Sequence, residues 1–500
     1  MSAGVLGRRH AISSWRARLA VLPAGMLCVL AARADSSAPL GAEQARRLLL
    51  RATFSASPAE VGAFAGLTRG QAVERLLEGV RTAPATQPDP ELDQWRPRFQ
   101  IRAMAPEERK AWLRQTIQQG EALRGWWFNE MLVTPTPFTE RMTLFWHNHF
   151  VSSLRKVRPT RAMYRQNLLL RRYALGSFRD MLHAVARDPA MILYLDNASN
   201  RKGQPNENFA REVMELFTLG EGHYGEQDIK EAARAFTGWG IDGETGEFLF
   251  RPALHDAGVK TILGQSGNFD GDAVLDILLA QPQTAQWIVG KLWREFVSPD
   301  PDPRGGGRIA DAFRRSNYDI RAAMRALLTS DAFYTQANRA ALVKSPIELL
   351  VGTLRQFQFE VGDAYPLVVM SRQLGQDLMA PPNVKGWPGG EAWINAGTLL
   401  ARKQMLERLF RESERAGIAA GAMQPAMASA TAARAPGRFQ KAMQTVRFDA
   451  SRWSQQTGEG GIDEVASAML PAAPLNPIVP RAERLAVVRQ LVLDPVYQLK

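Results

Sequence analysis

The feature that most limits what this chain can become is an apolar spacing near 3.6 residues that recurs along most of its 500 residues. PAEVGAFAGLTRGQAVERLLEGV (58–80), ERKAWLRQTIQQGEALRGWWFNEML (108–132), TERMTLFWHNHFVSSL (139–154) and RQNLLLRRYALGSFRDMLHAVARD (165–188) all carry it. Such segments bury one stripe each and must pack against one another, so the expected fold is mainly α, a multi-helix orthogonal bundle. Thr139 is the expected cap of the third segment, after Pro135 and Pro137. Near 240–267 the pattern changes: glycine-rich GIDGETGEFLFRPALHDAGVKTILGQSG predicts a small β-hairpin excursion, with GEFLF and VKTIL as short strands. Helices are predicted to resume near Asp270 and Thr284, with loops over 300–307 and 381–393. Three helix ends share a pattern, ARDPAMILYL, LLTSDAFYTQ and LVLDPVYQLK, whose unequal spacing excludes a solenoid and suggests a reused helix-end device.

The first 34 residues read differently. Arg8 and Arg9 are adjacent, LAVLPAGMLCVLAA (19–32) is apolar, and Ala32-Arg33-Ala34 has the small residues of a signal-peptidase site. The expected organisation is a twin-arginine-like export signal over 1–34, a helical domain over 35–412, an Ala-rich linker over 413–445 and a C-terminal segment over 446–500 whose last helix packs back on the domain. Periplasmic or secreted location follows. The single cysteine, Cys28, lies in the signal, so disulfides, thiolate catalysis and Cys-based metal sites are excluded from the mature chain. The signal holds five of the arginines, and its removal takes the formal charge from +12 to +7. That mild balance gives an exported chain little reason to bind nucleic acid. No apolar run in the body reaches the ~20 residues of a membrane span, so no transmembrane anchor is expected in the mature chain.

Candidate chemistry concentrates in PNENFAREVMELFTLGEGHYGEQDIKEAARAFTGW (205–239). A helix over 206–219 puts Asn208, Glu212 and Glu215 within about 60° of one another, opposite Phe209, Val213, Leu216 and Phe217. Two carboxylates at i, i+3 repel unless something positive relieves them. Arg211 paired with Glu215 is one relief. A divalent metal ion held by Asn208, Glu212, Glu215, His149 and His223 is another. A raised glutamate pKa for acid–base work is a third, with His223, Asp228 and Glu231 completing a catalytic set. The bland alternative is local helix chemistry: Asn206 as an N-cap, Asp228 and Glu231 as a capping box, Gly220 and Gly222 as a helix stop, and Arg211 and Arg234 as surface partners.

Outside this stretch, His147 and His149 of FWHNHF point about 200° apart on a helix, so one metal cannot take both. One of them is expected to pack among Phe145, Trp146 and Phe150. His255 and Asp256, with Lys260, could add to the site, whereas His183 reads as structural. Trp126, Trp127, Trp287 and Trp293 fit helix packing. Trp387 and Trp393 lie in a loop, where recognition is a fair expectation. No H-E-x-x-H, G-x-S-x-G or phosphate-loop pattern is present.

Taken in order, LLLRATFSASPAEV, RMTLFWHNHFVSS, ARDPAMILYLDNASNRKGQPNENFAREVMELFTLGEGHYGEQDIKEAARAFTGW, IVGKLWREFV, YDIRAAMRALLTSDAF, LVKSPIELLVGTLR and LMAPPNVKGWPGGEAWI resemble the bacterial family called domain of unknown function 1800, over roughly 44–402, and LDPVYQLK resembles its ending. Ser55 departs from the glycine usual there. The resemblance implies a mostly helical exported protein and suggests a co-encoded, exported, alkaline-phosphatase-like partner. It implies no reaction. Two functions stay open: an envelope hydrolase using the Asn/Glu/Glu/His cluster, and a non-catalytic binding or assembly protein in which that cluster is a structural network.

Overall fold

Prolines and short polar side chains set the helix starts. Ser57 and Glu60, Thr68 and Gln71, and Ser345 and Glu348 form capping boxes, with Pro58 and Pro346 inside the first turn. The computed structural model describes residues 37–421, 437–456, 461–479 and 483–500, the side chains of 412–421 and 456 excepted. The expected export signal, with its paired arginines and Cys28, lies outside them. Among the described residues there are 23 α-helices and six short strands, so the chain is mainly α. Ser36–Lys500 forms a single unit. No helix among the described residues is long and apolar enough to cross a membrane.

Two helices lie inside the others. In Pro137–His149 every residue from Phe138 to His147 is buried, as is His149, and in Pro346–Gln356 all but Arg355 are buried. A helix buried all round must satisfy its own polar side chains. Glu140 does so with Arg171, at 2.6 and 2.9 Å, and with the Trp127 indole at 2.9 Å. Arg141 does so with Glu295 at 2.7 Å and Glu348 at 2.8 Å. Thr139 lies inside this helix rather than capping it; Thr136 is the N-cap residue, and the Thr139 hydroxyl accepts the Arg81 N–H at 3.3 Å.

The β excursion is two separate antiparallel hairpins. Trp239–Ile241 pairs with Phe248–Phe250, and Lys260–Ile262 with Gln265–Gly267. GEFLF and VKTIL therefore each supply a strand, but not to each other. The loop expected over 300–307 is shorter: the Asp302 carboxylate caps Arg304 and Gly305 N–H groups, Pro303 follows, and the helix Pro303–Arg315 absorbs three glycines. The recurring helix-end pattern is a cap for the next turn. Ser330 and Asp494 end one helix, Asp188 follows the C-cap Arg187 of another, and each accepts an N–H from the start of the next turn, Phe333, Val496 and Met191 respectively.

Ala396–Gly421 carries helical backbone into the segment expected as a linker, whose residues 422–436 lie outside the described ones. The C-terminal segment contacts the helical domain. Glu360–Val361 pairs with Val446–Arg447, and the Lys344 N–H donates to the Gln498 carbonyl at 2.8 Å.

Candidate functional site

The helix expected over 206–219 changes form midway. Glu207–Glu212 is α-helical and Val213–Thr218 is a π-helical turn, closed by Leu219 N–H to Met214 carbonyl and Thr218 hydroxyl to Val213 carbonyl. The last carbonyls of any helix lack intrahelical donors. Here they find side chains. The Leu216 carbonyl accepts from the Trp287 indole at 2.9 Å and the Lys291 ammonium at 3.2 Å, and the Phe217 carbonyl accepts from His149 Nε2 at 3.2 Å. Gly220 ends the segment at φ +83°, and a Cβ there would sit 2.8 Å from the Trp287 ring, so only glycine fits.

The polar residues of 205–239 do not converge. Among the described residues no group of three or more His, Asp and Glu side chains is placed to hold a metal ion, so the five-residue metal set is not assembled. The reason is geometric: His149 is buried behind the π turn with both nitrogens used, whereas Asn208 and His223 are exposed. Arg211 pairs not with Glu215 but with Glu226, at 2.8 and 2.9 Å, and Glu207 at 3.2 Å. Asn206 is the N-cap, as expected. Asp228 is the third residue of the helix Glu226–Ala235 rather than its cap; its carboxylate accepts Gly225 N–H and Leu263 N–H, both at 2.8 Å. Glu231 accepts from Arg234 at 2.7 Å and Thr261 N–H at 3.3 Å. Arg234 also clamps Asp256 at 2.8 and 3.2 Å, which with burial opposing it leaves that carboxyl down at about 2. The Lys260 ammonium donates to the Asp256 carbonyl at 2.6 Å, and His255 Nδ1 bonds the Thr237 carbonyl at 3.0 Å. This half of the stretch therefore ties the second hairpin to its helix.

Glu212 and Glu215 stay half-buried on the outer side of the π turn. Glu215 accepts from the Tyr224 hydroxyl at 2.8 Å and lies 3.9 Å from Lys385. Glu212 has no hydrogen bond or ion pair among the described residues. Burial, then the Glu215 charge, raises its pKa.

On the inner side, the π turn holds Lys291 and His149 at a cleft of about 320 Å3, also lined by Phe145, Asn148, Arg294 and Trp387. His149 donates from Nε2 to a carbonyl, so its Nδ1 carries the lone pair and receives Lys291 Nζ at 3.1 Å. Burial, then Lys291, holds its pKa well below the ordinary histidine value. It packs against Phe145, Trp146 and Phe150, as expected for one of the pair. His147 is buried between Trp127 and Trp387, its pKa pushed to about 3 by burial. Lys291 is lowered to about 8 by burial and then by Arg294. Neither Lys291 nor the exposed Arg294 has a carboxylate partner among the described residues. Glu391 is exposed at the rim, and Glu295 is engaged by Arg141.

The loop 381–393 forms another wall of the cleft, and its tryptophans are buried rather than exposed: Trp387 is 4% and Trp393 6% exposed. Asn148, between the two histidines, pins the loop by accepting the Trp387 N–H at 2.7 Å, and Gly386, at φ +84°, leaves no room for a Cβ beside it. Lys385 on the same loop reaches Glu221 at 3.2 Å. Beneath the cleft, Arg141, Glu295, Glu348 and Lys500 form a buried ionic network. A larger hollow of about 460 Å3, lined by Gln373, Gln404, Met405 and Arg408, encloses no buried charge.

Sequence reasoning missed Lys291, Arg294, Asn148, Glu348 and Lys500. The one available signal was Lys291 itself, a lone lysine beside the apolar stripe of TAQWIVGKLWREFV.

A family model described as protein of unknown function (DUF1800) matches residues 47–499. No curated protein and no solved structure matches.

Proposed function

The chain belongs to this family of unknown function, and we propose that it is an exported envelope protein that holds an acidic ligand in the cleft between the π turn and the loop 381–393. One observation carries the reading: Lys291 and Arg294, three residues apart on one helix, line the cleft without a carboxylate partner. A partly buried cation lacking a counter-charge is costly, and a bound carboxylate or phosphate relieves that cost. Phe145 and Trp387 supply apolar wall for the rest of the ligand. Export is supported by the paired arginines, apolar stretch and A-x-A of the first 34 residues. The alkaline-phosphatase-like partner suggested by the family resemblance would handle ligands of the same charge.

The test is thermal unfolding and calorimetric titration of residues 35–500 with inorganic phosphate and with succinate. Binding raises Tm with ligand concentration, and Arg294→Glu, at an exposed position, weakens it roughly tenfold or more. Anion binding unchanged by Arg294→Glu, or none at all, overturns the proposal.

A second, hydrolytic reading rests on Glu212, whose unpartnered carboxyl has its pKa raised by burial and then by Glu215. It predicts turnover that Glu212→Gln abolishes in a folded protein.

A further inference from the structure

Lys291 is placed as few lysines are. Its Nζ has two fixed acceptors, the Leu216 carbonyl at 3.2 Å and His149 Nδ1 at 3.1 Å. Both are held by backbone: the first belongs to the π turn, and the second is aimed by the His149 Nε2 bond to Phe217. The Trp287 ring covers another side, 5.0 Å from Nζ. An ammonium carries three protons, and these two acceptors satisfy two. A neutral amine donates both of its N–H groups to them and leaves its lone pair for the cleft. The Trp287 face suits the ammonium, so the pocket accepts both forms, and the neutral one keeps the two hydrogen bonds while freeing a lone pair. The charged or titratable groups sharing the cleft are His149, Arg294, Glu295, Lys385 and Glu391, and the two carboxylates among them are not hydrogen-bonded to Nζ.

We propose that Lys291 is an amine nucleophile that condenses with the aldehyde or ketone group of a ligand whose acidic group is held by Arg294. The nitrogen lone pair attacks the carbonyl carbon, and the carbonyl oxygen takes up a proton to give a carbinolamine. The C–O bond then breaks, and hydroxyl and the remaining nitrogen proton leave as water, giving an imine. Nothing is oxidised or reduced, and water reverses the step. Burial that brings Lys291 to about 8 keeps an appreciable neutral fraction near neutral pH. The proposal rests on the acidic-ligand reading.

The experiment incubates residues 35–500 with glyoxylate, or with propanal as a neutral aldehyde, in the presence of cyanoborohydride, which reduces any imine to a stable secondary amine. Peptide mapping by mass spectrometry then gives the rate at each lysine. The expected result is modification of Lys291 roughly tenfold faster than of exposed lysines such as Lys385. Glyoxylate should react faster than propanal, and inorganic phosphate should protect. Arg294→Glu, and Arg294→Gln as the milder variant, should remove the preference for glyoxylate while propanal still reacts. Lys291 modified no faster than Lys385 overturns the nucleophile. If phosphate then still binds in an Arg294-dependent way, the acidic-ligand reading stands alone. Fast modification of Lys291 by both aldehydes, indifferent to Arg294, overturns the acidic ligand and leaves the nucleophile.

Discussion

Replacing Glu348 by glutamine removes one charge from the centre of the network below the cleft. Glu348 is the third residue of the helix Pro346–Gln356 and is 4% exposed. One carboxylate oxygen accepts the Ser345 N–H at 2.8 Å; the other lies 2.8 Å from Arg141 and is bonded to the Lys500 ammonium. Among the described residues the other carboxylate reaching these cations is Glu295, 2.7 Å from Arg141 and 3.7 Å from Lys500. Its side chain is 32% exposed. Glutamine keeps the shape, but with its oxygen on the Ser345 N–H its NH2 group faces Arg141 and Lys500, so the charge and one acceptor are lost together. Two buried cations then share one partly solvated carboxylate. Breaking a buried pair in this way costs about 3–5 kcal/mol. At ~2.1 cal/mol/K per residue, the unfolding entropy of ~465 residues is ~1 kcal/mol/K, so Tm should fall by ~3–5 °C.

The pH dependence gives a second handle. Burial pushes the Glu348 carboxyl up, but Arg141 and Lys500 more than offset it and hold its pKa below the ordinary value. A carboxyl depressed in the fold stabilises fully above its unfolded pKa of about 4.3, and that stability drains away as pH falls through the folded value. The gap between wild type and Glu348→Gln should be full at neutral pH, begin to shrink below about pH 4 and close only as pH falls through about 2. Calorimetric or circular-dichroism melts across that range measure it. A loss under about 1 kcal/mol at neutral pH, or a gap that does not close in acid, refutes the reasoning.

Three further outcomes are expected. Burial brings Lys344 to about 7; the unfolded state therefore binds more protons from there to about pH 10, and Lys344→Met should exceed wild type in stability by a margin that shrinks over that window in denaturant titrations. His183 is bonded to Asp272 and Asp276 at 3.1 Å each, and Asp272 first, against burial, raises its pKa. His183→Gln should lose under about 1 kcal/mol, fully below pH 6.5 and not at all once pH has risen through the raised value, as read from melts at stepped pH. Glu212 is raised, so its ionised form is the costly one in the fold. Glu212→Gln should raise stability at pH 7 by under about 1 kcal/mol, and a drop in Tm would count against the unpartnered placement.

Much of the fold was legible because helices are local. Apolar stripes and prolines at first turns act within one or two turns of chain, whereas the Thr68 capping box splits the run read as helical over 58–80 into Pro58–Ala65 and Arg69–Glu78. Asn206 as an N-cap and Gly220 as a stop were readable for the same reason. The start of Pro303–Arg315 was missed because three glycines outweighed a cap signal at Asp302 that was present in the sequence.

The site was not legible, because its partners are distant in the chain. His149 and Lys291 meet across 142 positions, and Glu348 and Lys500 across 152. A charged residue has the same letter whether it faces water or lies buried, and only packing decides which. The same holds for the π turn. Nothing in VMELFT requires it, but its carbonyls accept side chains brought by two other helices. Local chain chemistry set the helical character, some of the helix ends and the family. Tertiary structure decided which polar residues were used up as clamps and which cations were left facing a cleft, since burial and counter-charge are properties of the assembled fold.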